Sequence, residues 1–178
     1  MMRVLFLDID GVLNSEGWNA EHQSEIVQGI LIDRAAVGLL ARLVQETKAQ
    51  IILHSGWRMW FDAELRPLRK EAEILVSLFA EAGLSLAGIT PDLTTEEIRR
   101  SKRFSLVKAD EIMAWLASHS HVEAWVVLDD LGKMHVESPN SKFIKSDLDW
   151  MEAHYKDMRM AFKKKDFFFT RGFVLFSA

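Results

Sequence analysis

The chain has 178 residues, of which 49% are hydrophobic and 27% charged, and its formal net charge is −4. This balance indicates one globular domain with its own core, and the acidic charge gives no overall electrostatic reason to expect nucleic-acid binding. The absence of cysteine excludes disulfides, thiolate metal sites and cysteine nucleophiles. Without a membrane-length apolar run, and with an apolar strand beginning too early for a signal peptide, the chain is expected to be cytoplasmic.

The first predicted element is an apolar strand that runs into two acids. Four consecutive apolar residues, 4–7, predict a strand buried on both faces. Asp8 and Asp10 follow it, and in an extended backbone their side chains leave the same face, while Gly11 permits a sharp turn. Such a pair predicts a bound cation or a shared proton, with a polar turn without function as the plain alternative.

The next elements alternate between helices and strands. Residues 15–29 have no clear period and are predicted to form a loop or a short flap over the strand ends. Asp33 is placed to cap a helix with apolar residues at helical spacing. The short apolar run within residues 50–54 predicts a second strand, which ends at the run Ser55-Gly56-Trp57-Arg58.

A second helix is predicted to have Pro67 in its first turn and to end at Gly83. Residues 84–89 predict a third strand, and residues 90–104 a loop that carries a cluster of basic side chains. The members of that cluster are Arg99, Arg100, Lys102 and Arg103.

The last well-defined elements are a helix and a strand. Ser105 is expected to cap the helix, and residues 124–128 predict a fourth buried strand that ends at Asp129 and Asp130. Strict alternation of strands and helices predicts a doubly wound, Rossmann-like α/β fold, with a mostly parallel sheet covered by helices on both faces.

The predicted domain covers residues 1–178, with its motifs in residues 3–130. Beyond them we expect a short strand at 142–144, a helical stripe at 148–162 and a Phe-rich end at 167–176. That end is too apolar for a solvated tail, and adding strands to the sheet, packing against it or forming a dimer contact are its open alternatives.

The strand ends bring several hard oxygen donors together. They are supplied by Asp8, Asp10, Ser55, Asp129 and Asp130, a set that suits magnesium. Lys108 opposes the helix macrodipole in the first turn of its helix, so we expect its ammonium to face an anion; Lys102 and Arg103 are alternatives for that role. A carboxylate nucleophile beside a metal and a lysine is typical of phosphoryl transfer through an aspartyl phosphate.

Four stretches of the chain, in order, resemble the motifs of the haloacid dehalogenase-like (HAD) phosphatase superfamily. They are Asp8-Ile9-Asp10-Gly11-Val12-Leu13-Asn14, His54-Ser55-Gly56-Trp57-Arg58, Lys108 on an amphipathic helix, and Val127-Leu128-Asp129-Asp130. The second and fourth stretches and the Lys-Ala-Asp-Glu-Ile helix are most similar to the small HAD domains associated with RNA repair proteins.

The resemblance implies a role for each motif residue. Asp8 would attack phosphorus, and Asp10 would act as general acid and then base while its carbonyl binds magnesium. Ser55 and Lys108 would bind the phosphoryl group. Of the last pair, Asp130 is favoured as the direct metal ligand and Asp129 as its indirect partner.

Substrate contacts are expected from the residues after Ser55, namely Gly56, Trp57 and Arg58. For Arg58, pairing with an acid is equally favoured, and for Trp57, packing is the more common role. The segments after Asp10 and Ser55 are too short for a large cap domain, so an open site is expected. By the resemblance to the superfamily, an open site implies macromolecular or extended substrates such as nucleic-acid ends. The alternative function is a non-enzymatic phospho-acceptor or binding domain with the same fold.

Overall fold

The protein is described here by a computed structural model of residues 2–129 and 175–176. These residues form an α/β fold, as the sequence predicts. The strands are β1 (Met2–Leu7), β2 (Gln50–Leu53), β3 (Leu86–Ile89), β4 (Val122–Leu128) and β5 (Leu175–Phe176). The helices are α1 (Glu16–Glu21), α2 (Gln23–Val27), α3 (Arg34–Thr47), α4 (Lys70–Glu81), α5 (Glu96–Ser101) and α6 (Ser105–Ala117), with a 3₁₀ helix at Gly56–Trp60.

The sheet has the order β3-β2-β1-β4-β5, with β1 in the middle. β1 is parallel to both neighbours, and Leu7 is level with Leu53 of β2 and Leu128 of β4. The chain moves from β1 outward to β2 and β3, then returns across β1 to β4, so the winding direction reverses between β1 and β4. In open α/β sheets this switch point leaves a crevice at the carboxyl ends of the strands.

Alternate residues of β1 supply two separate cores. Leu5 and Leu7 are fully buried in the cluster that contains the apolar faces of α3 and α4. Val4 and Phe6 are fully buried on the other face, with residues of α6. Since successive side chains of a strand point to opposite faces, this run of apolar residues needs helices on both sides. The prediction of a doubly wound sheet is confirmed.

Helix α3 begins directly after its predicted cap, Asp33, whereas α4 and α6 do not begin as the sequence predicts. The Asp33 side chain accepts a hydrogen bond from Ala35 N (2.7 Å). The helix predicted to start at Pro67 starts at Lys70, because the preceding backbone bonds back to the 3₁₀ helix through Leu68 N and Trp60 O (2.7 Å). Ser105 is the first residue of α6 rather than its cap, since Phe104 occupies the cap position.

Two segments predicted to be loops contain short helices. Residues 15–29 include α1 and α2, and residues 90–104 include α5. The side chain of Ser15 caps α1, and that of Thr95 caps α5 by accepting from Ile98 N (3.3 Å). Helices of five or six residues bury too little apolar surface to show a period in the sequence, so these two loop predictions were wrong.

The C-terminal end adds a strand to the sheet. Leu175 and Phe176 pair antiparallel with Val126 and Trp125 of β4. This outcome is one of the alternatives predicted for the Phe-rich end, whereas the strand expected at 142–144 and the helix expected at 148–162 lie outside the described residues. Across the described parts of the chain, no helix combines the length and the apolar character needed to cross a membrane.

We predict that Asp33→Ala lowers the free energy of unfolding by about 1 kcal/mol, because Ala35 N loses its hydrogen-bond acceptor at the start of α3. Urea denaturation measures this change. Asp33→Asn is the matched control, since its amide oxygen can accept the same bond, and it should stay within a few tenths of a kcal/mol of the wild type. An equal loss in both variants would contradict the capping role.

Candidate active site

The side chain of Lys108 joins the two acids that follow β1 and β4. Its Nζ donates to Asp8 Oδ2 and to Asp129 Oδ2, each at 2.6 Å. Asp8 is 5% exposed and Asp129 is fully buried. Both acids follow neighbouring parallel strands at the switch point, and Asp8 N continues the pairing by donating to Leu128 O (2.8 Å). Three distant segments therefore meet at one ammonium group.

Burial and ion pairing have opposite effects on the pKa of Lys108. Burial alone would lower the pKa of Lys108, but the carboxylates of Asp8 and Asp129 outweigh it and raise that pKa well above its usual value. Lys108 is therefore charged at every physiological pH. An ammonium that is largely shielded from solvent, held between two carboxylates, neutralises charge that would otherwise be costly to remove from water.

Asp10 lies at the open side of the same strand end. Its Oδ1 accepts from Asn14 Nδ2 (2.9 Å) and its Oδ2 from Trp57 Nε1 (3.1 Å). The turn that allows this begins at Gly11, which has a φ of +79° and donates its N–H to Asn14 Oδ1 (2.9 Å). Asp10 is exposed whereas Asp8 is buried, so the two acids of one motif have different environments.

Ser55 is fully buried at the end of β2, where it caps the 3₁₀ helix. Its Oγ accepts from Trp57 N (3.4 Å), and its carbonyl accepts from Arg58 Nη1 (3.1 Å). The pairing of β2 with β1 continues to the residue before Ser55, because His54 N donates to Leu7 O (2.7 Å). Ser55 thus follows the strand adjacent to Asp8, on the side opposite to β4.

Arg58 is paired with acids rather than directed to solvent. Its Nη2 lies 2.6 Å from Glu111 Oε1 and 3.6 Å from Asp92 Oδ1, and the residue is 8% exposed. Glu111 is fully buried and also accepts from Leu93 N (3.0 Å). Burial raises the pKa of Glu111, with the Arg58 charge opposing that shift. Of the two alternatives predicted for Arg58, the structure shows the ion pair.

Sequence reasoning did not single out Glu111. The signal was present, because an acid at position 111 lies on the same helical stripe as the apolar residues Ile112 and Trp115, both of which are buried. A charged residue within an apolar stripe needs a buried partner. Its partner lies 53 residues away in sequence, however, so spacing alone does not reveal it.

The donor set near Asp8 fits magnesium in its chemistry. Two carboxylates, those of Asp8 and Asp129, already share one cation, and magnesium is commonly held by one or two carboxylates together with water and substrate phosphate. Within residues 2–129 and 175–176, no three or more His, Cys, Asp or Glu side chains form a metal-binding group. Asp130, the predicted direct ligand, lies outside the described residues.

The predicted site residues fall into two groups. Asp8, Lys108 and Asp129 are in direct contact, and Asp10 and Ser55 are linked through Trp57. Lys108 donates to both acids, as predicted for the motif lysine, whereas Lys102 is an exposed residue at the end of α5.

The chain matches a known protein family. The model of the HAD domain in Swiss Army Knife RNA repair proteins matches residues 4–150, which is most of the chain. The match includes all four motif stretches and extends beyond β4. Searches of curated proteins and of solved structures found no match.

We predict that His54 makes stability depend on pH. His54 is fully buried and bonds to Thr90 Oγ1 (3.0 Å), and burial, with Lys108 and Arg58 nearby, holds its pKa well below 6.5. The unfolded chain therefore takes up a proton near pH 6.5 while the folded one does not, so this stability is present above pH 6.5 and lost as pH falls. The expected slope is up to about 1.4 kcal/mol per pH unit.

Urea denaturation between pH 7.5 and 5 measures this slope, and His54→Gln should reduce it. His121→Gln, which removes an exposed histidine and leaves His54 in place, is the control and should keep the wild-type slope. Identical slopes in the wild type and His54→Gln would refute the assignment.

Proposed function

We propose, since the chain belongs to the family of HAD domains in Swiss Army Knife RNA repair proteins, that it is a magnesium-dependent phosphohydrolase. Its substrates in this proposal are phosphate monoesters, in particular the phosphorylated ends of nucleic acids. The observation that carries the proposal is the Lys108 ammonium held 2.6 Å from both Asp8 and Asp129. A buried carboxylate beside a fixed cation is what an attacking aspartate requires.

In the first step, Asp8 attacks the phosphorus atom of the ester. A new bond forms between an Asp8 oxygen and phosphorus, while the bond to the leaving oxygen breaks and Asp10 protonates that oxygen. The Asp8 side chain is preset for this, because Ile9 N donates to its Oδ1 (2.8 Å) and Lys108 to its Oδ2. Two fixed donors hold the carboxylate in one orientation.

In the second step, water attacks the aspartyl phosphate. Asp10 accepts the proton of that water, the bond between Asp8 and phosphorus breaks, and inorganic phosphate leaves. The position of Asp10 supports both roles, because the residue is exposed yet its carboxylate is oriented by Asn14 and Trp57. After the first step Asp10 is deprotonated, so it can act as the base in the second step, and the proton taken from water restores its starting state.

Further groups complete the proposed site. Ser55 binds a phosphoryl oxygen, and Lys108 neutralises charge on the phosphoryl group and on Asp8. Magnesium, held by Asp8, the carbonyl of Asp10 and the Asp129-Asp130 pair, would neutralise the remaining charge when bound. Gly56 and Trp57 are proposed as substrate contacts beside Ser55.

The proposal of nucleic-acid ends has two supports. The matched family consists of domains from RNA repair proteins. In addition, the two segments where a cap domain could be inserted are short. The segment between Asp10 and α3 contains the helices α1 and α2, and the segment between Ser55 and α4 contains the 3₁₀ helix. Short segments of this kind favour an open site, which an oligonucleotide end can enter.

We predict that Asp8→Asn lowers phosphate release by at least about 1,000-fold, because it removes the nucleophile without changing the shape of the side chain. Release is measured with magnesium on an RNA oligonucleotide bearing a terminal phosphate, and in parallel on an aryl phosphate. Asp110→Asn, at an exposed position of α6, is the matched control and should retain wild-type activity.

The number of turnovers separates the enzyme from a phospho-acceptor. The enzyme releases many equivalents of phosphate per chain, whereas an acceptor stops at one. A wild-type protein that releases no phosphate from any ester in the panel would refute the proposed function.

We predict that Lys108→Met lowers kcat/KM by about 100-fold or more, because two carboxylates and the phosphoryl group lose the ammonium they share. Steady-state kinetics on the same substrate measure the loss, and circular dichroism checks the fold. Lys102→Met, the same substitution at an exposed lysine, should remain within about twofold of the wild type. A comparable loss at Lys102 would transfer the role to that lysine.

A further inference from the structure

A fully buried acid, Glu111, links α6, the helix that carries Lys108, to the segment after β2 that contains Ser55. It is on α6 three residues after Lys108, so the two side chains share one side of the helix. Its Oε1 contacts Arg58 Nη2 (2.6 Å), and Arg58 in turn donates to the carbonyl of Ser55 (3.1 Å). One carboxylate thus connects the end of β2 to the helix that carries the lysine.

The same carboxylate also ties down the segment after β3. It accepts the N–H of Leu93 (3.0 Å), next to Asp92, whose Oδ1 lies 3.6 Å from Arg58 Nη2. Glu111 therefore joins its own helix to two other chain segments. None of its contacts is to Asp8 or Asp129, so the proposed mechanism gives it no part in the reaction.

Stability does not account for this ion pair. Both partners are buried, and in the described residues Glu111 Oε2 and Arg58 Nε have no hydrogen-bond partner. Burying two charges carries a large desolvation cost, and apolar side chains of the same size often give equal or greater stability. A pair with unsatisfied atoms is expected to recover less of that cost. What it does provide is a fixed geometry between two elements.

We infer that Glu111, acting through Arg58, is a positioning residue that sets the distance between Ser55 and Lys108 and so shapes the site for one tetrahedral phosphoryl group. This inference rests on the proposed function. It assigns Arg58 to positioning and not to contact with substrate. Since a misplacement of about 1 Å can cost about 100-fold in rate, a buried connection of this kind has a measurable consequence.

The test uses the double variant Arg58→Met/Glu111→Gln. Met fills the space of the arginine stem, and Gln retains an acceptor for Leu93 N, so both charges leave without a large change in shape. We expect an unfolding midpoint in urea close to that of the wild type, together with a kcat lowered about 10- to 100-fold and a KM within about threefold. If the ion pair only stabilised the fold, a double variant with wild-type stability would also have wild-type kcat.

The matched control is Arg34→Met/Glu81→Gln. This ion pair has a similar length (2.7 Å), but it is exposed and joins α3 to α4 on the other face of the sheet. The control should keep the wild-type kcat. A double variant at positions 58 and 111 that is stable and has wild-type kcat overturns the inference. If that variant does not fold, Glu111→Gln alone provides the same comparison of kcat with stability.

Binding of inorganic phosphate distinguishes a failure of this inference from a failure of the proposed function. If the wild type hydrolyses no ester, the proposed function is wrong, and titration calorimetry with phosphate then tests the geometry alone. Phosphate affinity at least about fivefold weaker in the double variant than in the wild type would support positioning by Glu111. Equal affinity, or no phosphate binding by the wild type, would overturn it.

Discussion

The contact that the site depends on is the Lys108 ammonium between Asp8 and Asp129. Each of these three groups would be costly to bury alone, and together they offset one another's charge. The contact also constrains the fold, because α6 must lie where Lys108 reaches both strand ends. The rings of Phe6 and Trp115, with centroids 5.4 Å apart and an edge-to-face arrangement, hold α6 against β1 in that position.

The central position of β1 explains why the site is rigid at Asp8 and open at Asp10. β1 is bonded to a strand on each side and packed by helices on both faces, so its last residues have little freedom. Asp8 N still bonds to β4, whereas three residues later the chain turns at Gly11. A fixed carboxylate at Asp8 next to the solvent-exposed acid Asp10 is therefore a consequence of where the sheet stops.

The sheet and the two larger helix layers could be predicted because they depend on patterns that the sequence carries locally. Apolar runs such as 4–7 and 51–53 indicate buried strands, and the order of the polar residues that follow them led to the candidate site. The short helices could not be identified by period. Helix α5 does carry other signals, with Thr95 as its cap, acids in its first turn and Arg99 and Arg100 in its last. A prediction that gave more weight to capping residues and charge distribution than to the period of apolar residues would have identified α5.

Side-chain partners were less predictable than elements, and Arg58 shows why. Its position after Ser55 indicates that it lies near the strand ends, but its partner depends on how α6 is rotated about its axis. A rotation by one residue, about 100°, would take Glu111 off the sheet-facing stripe and leave Arg58 free to face a substrate. That rotation is set by Ile112 and Trp115 packing against Phe6 and Ile52, contacts between residues about 60 to 110 positions apart. The role of Arg58 is thus decided by the core under α6, and no motif around Ser55 contains that information.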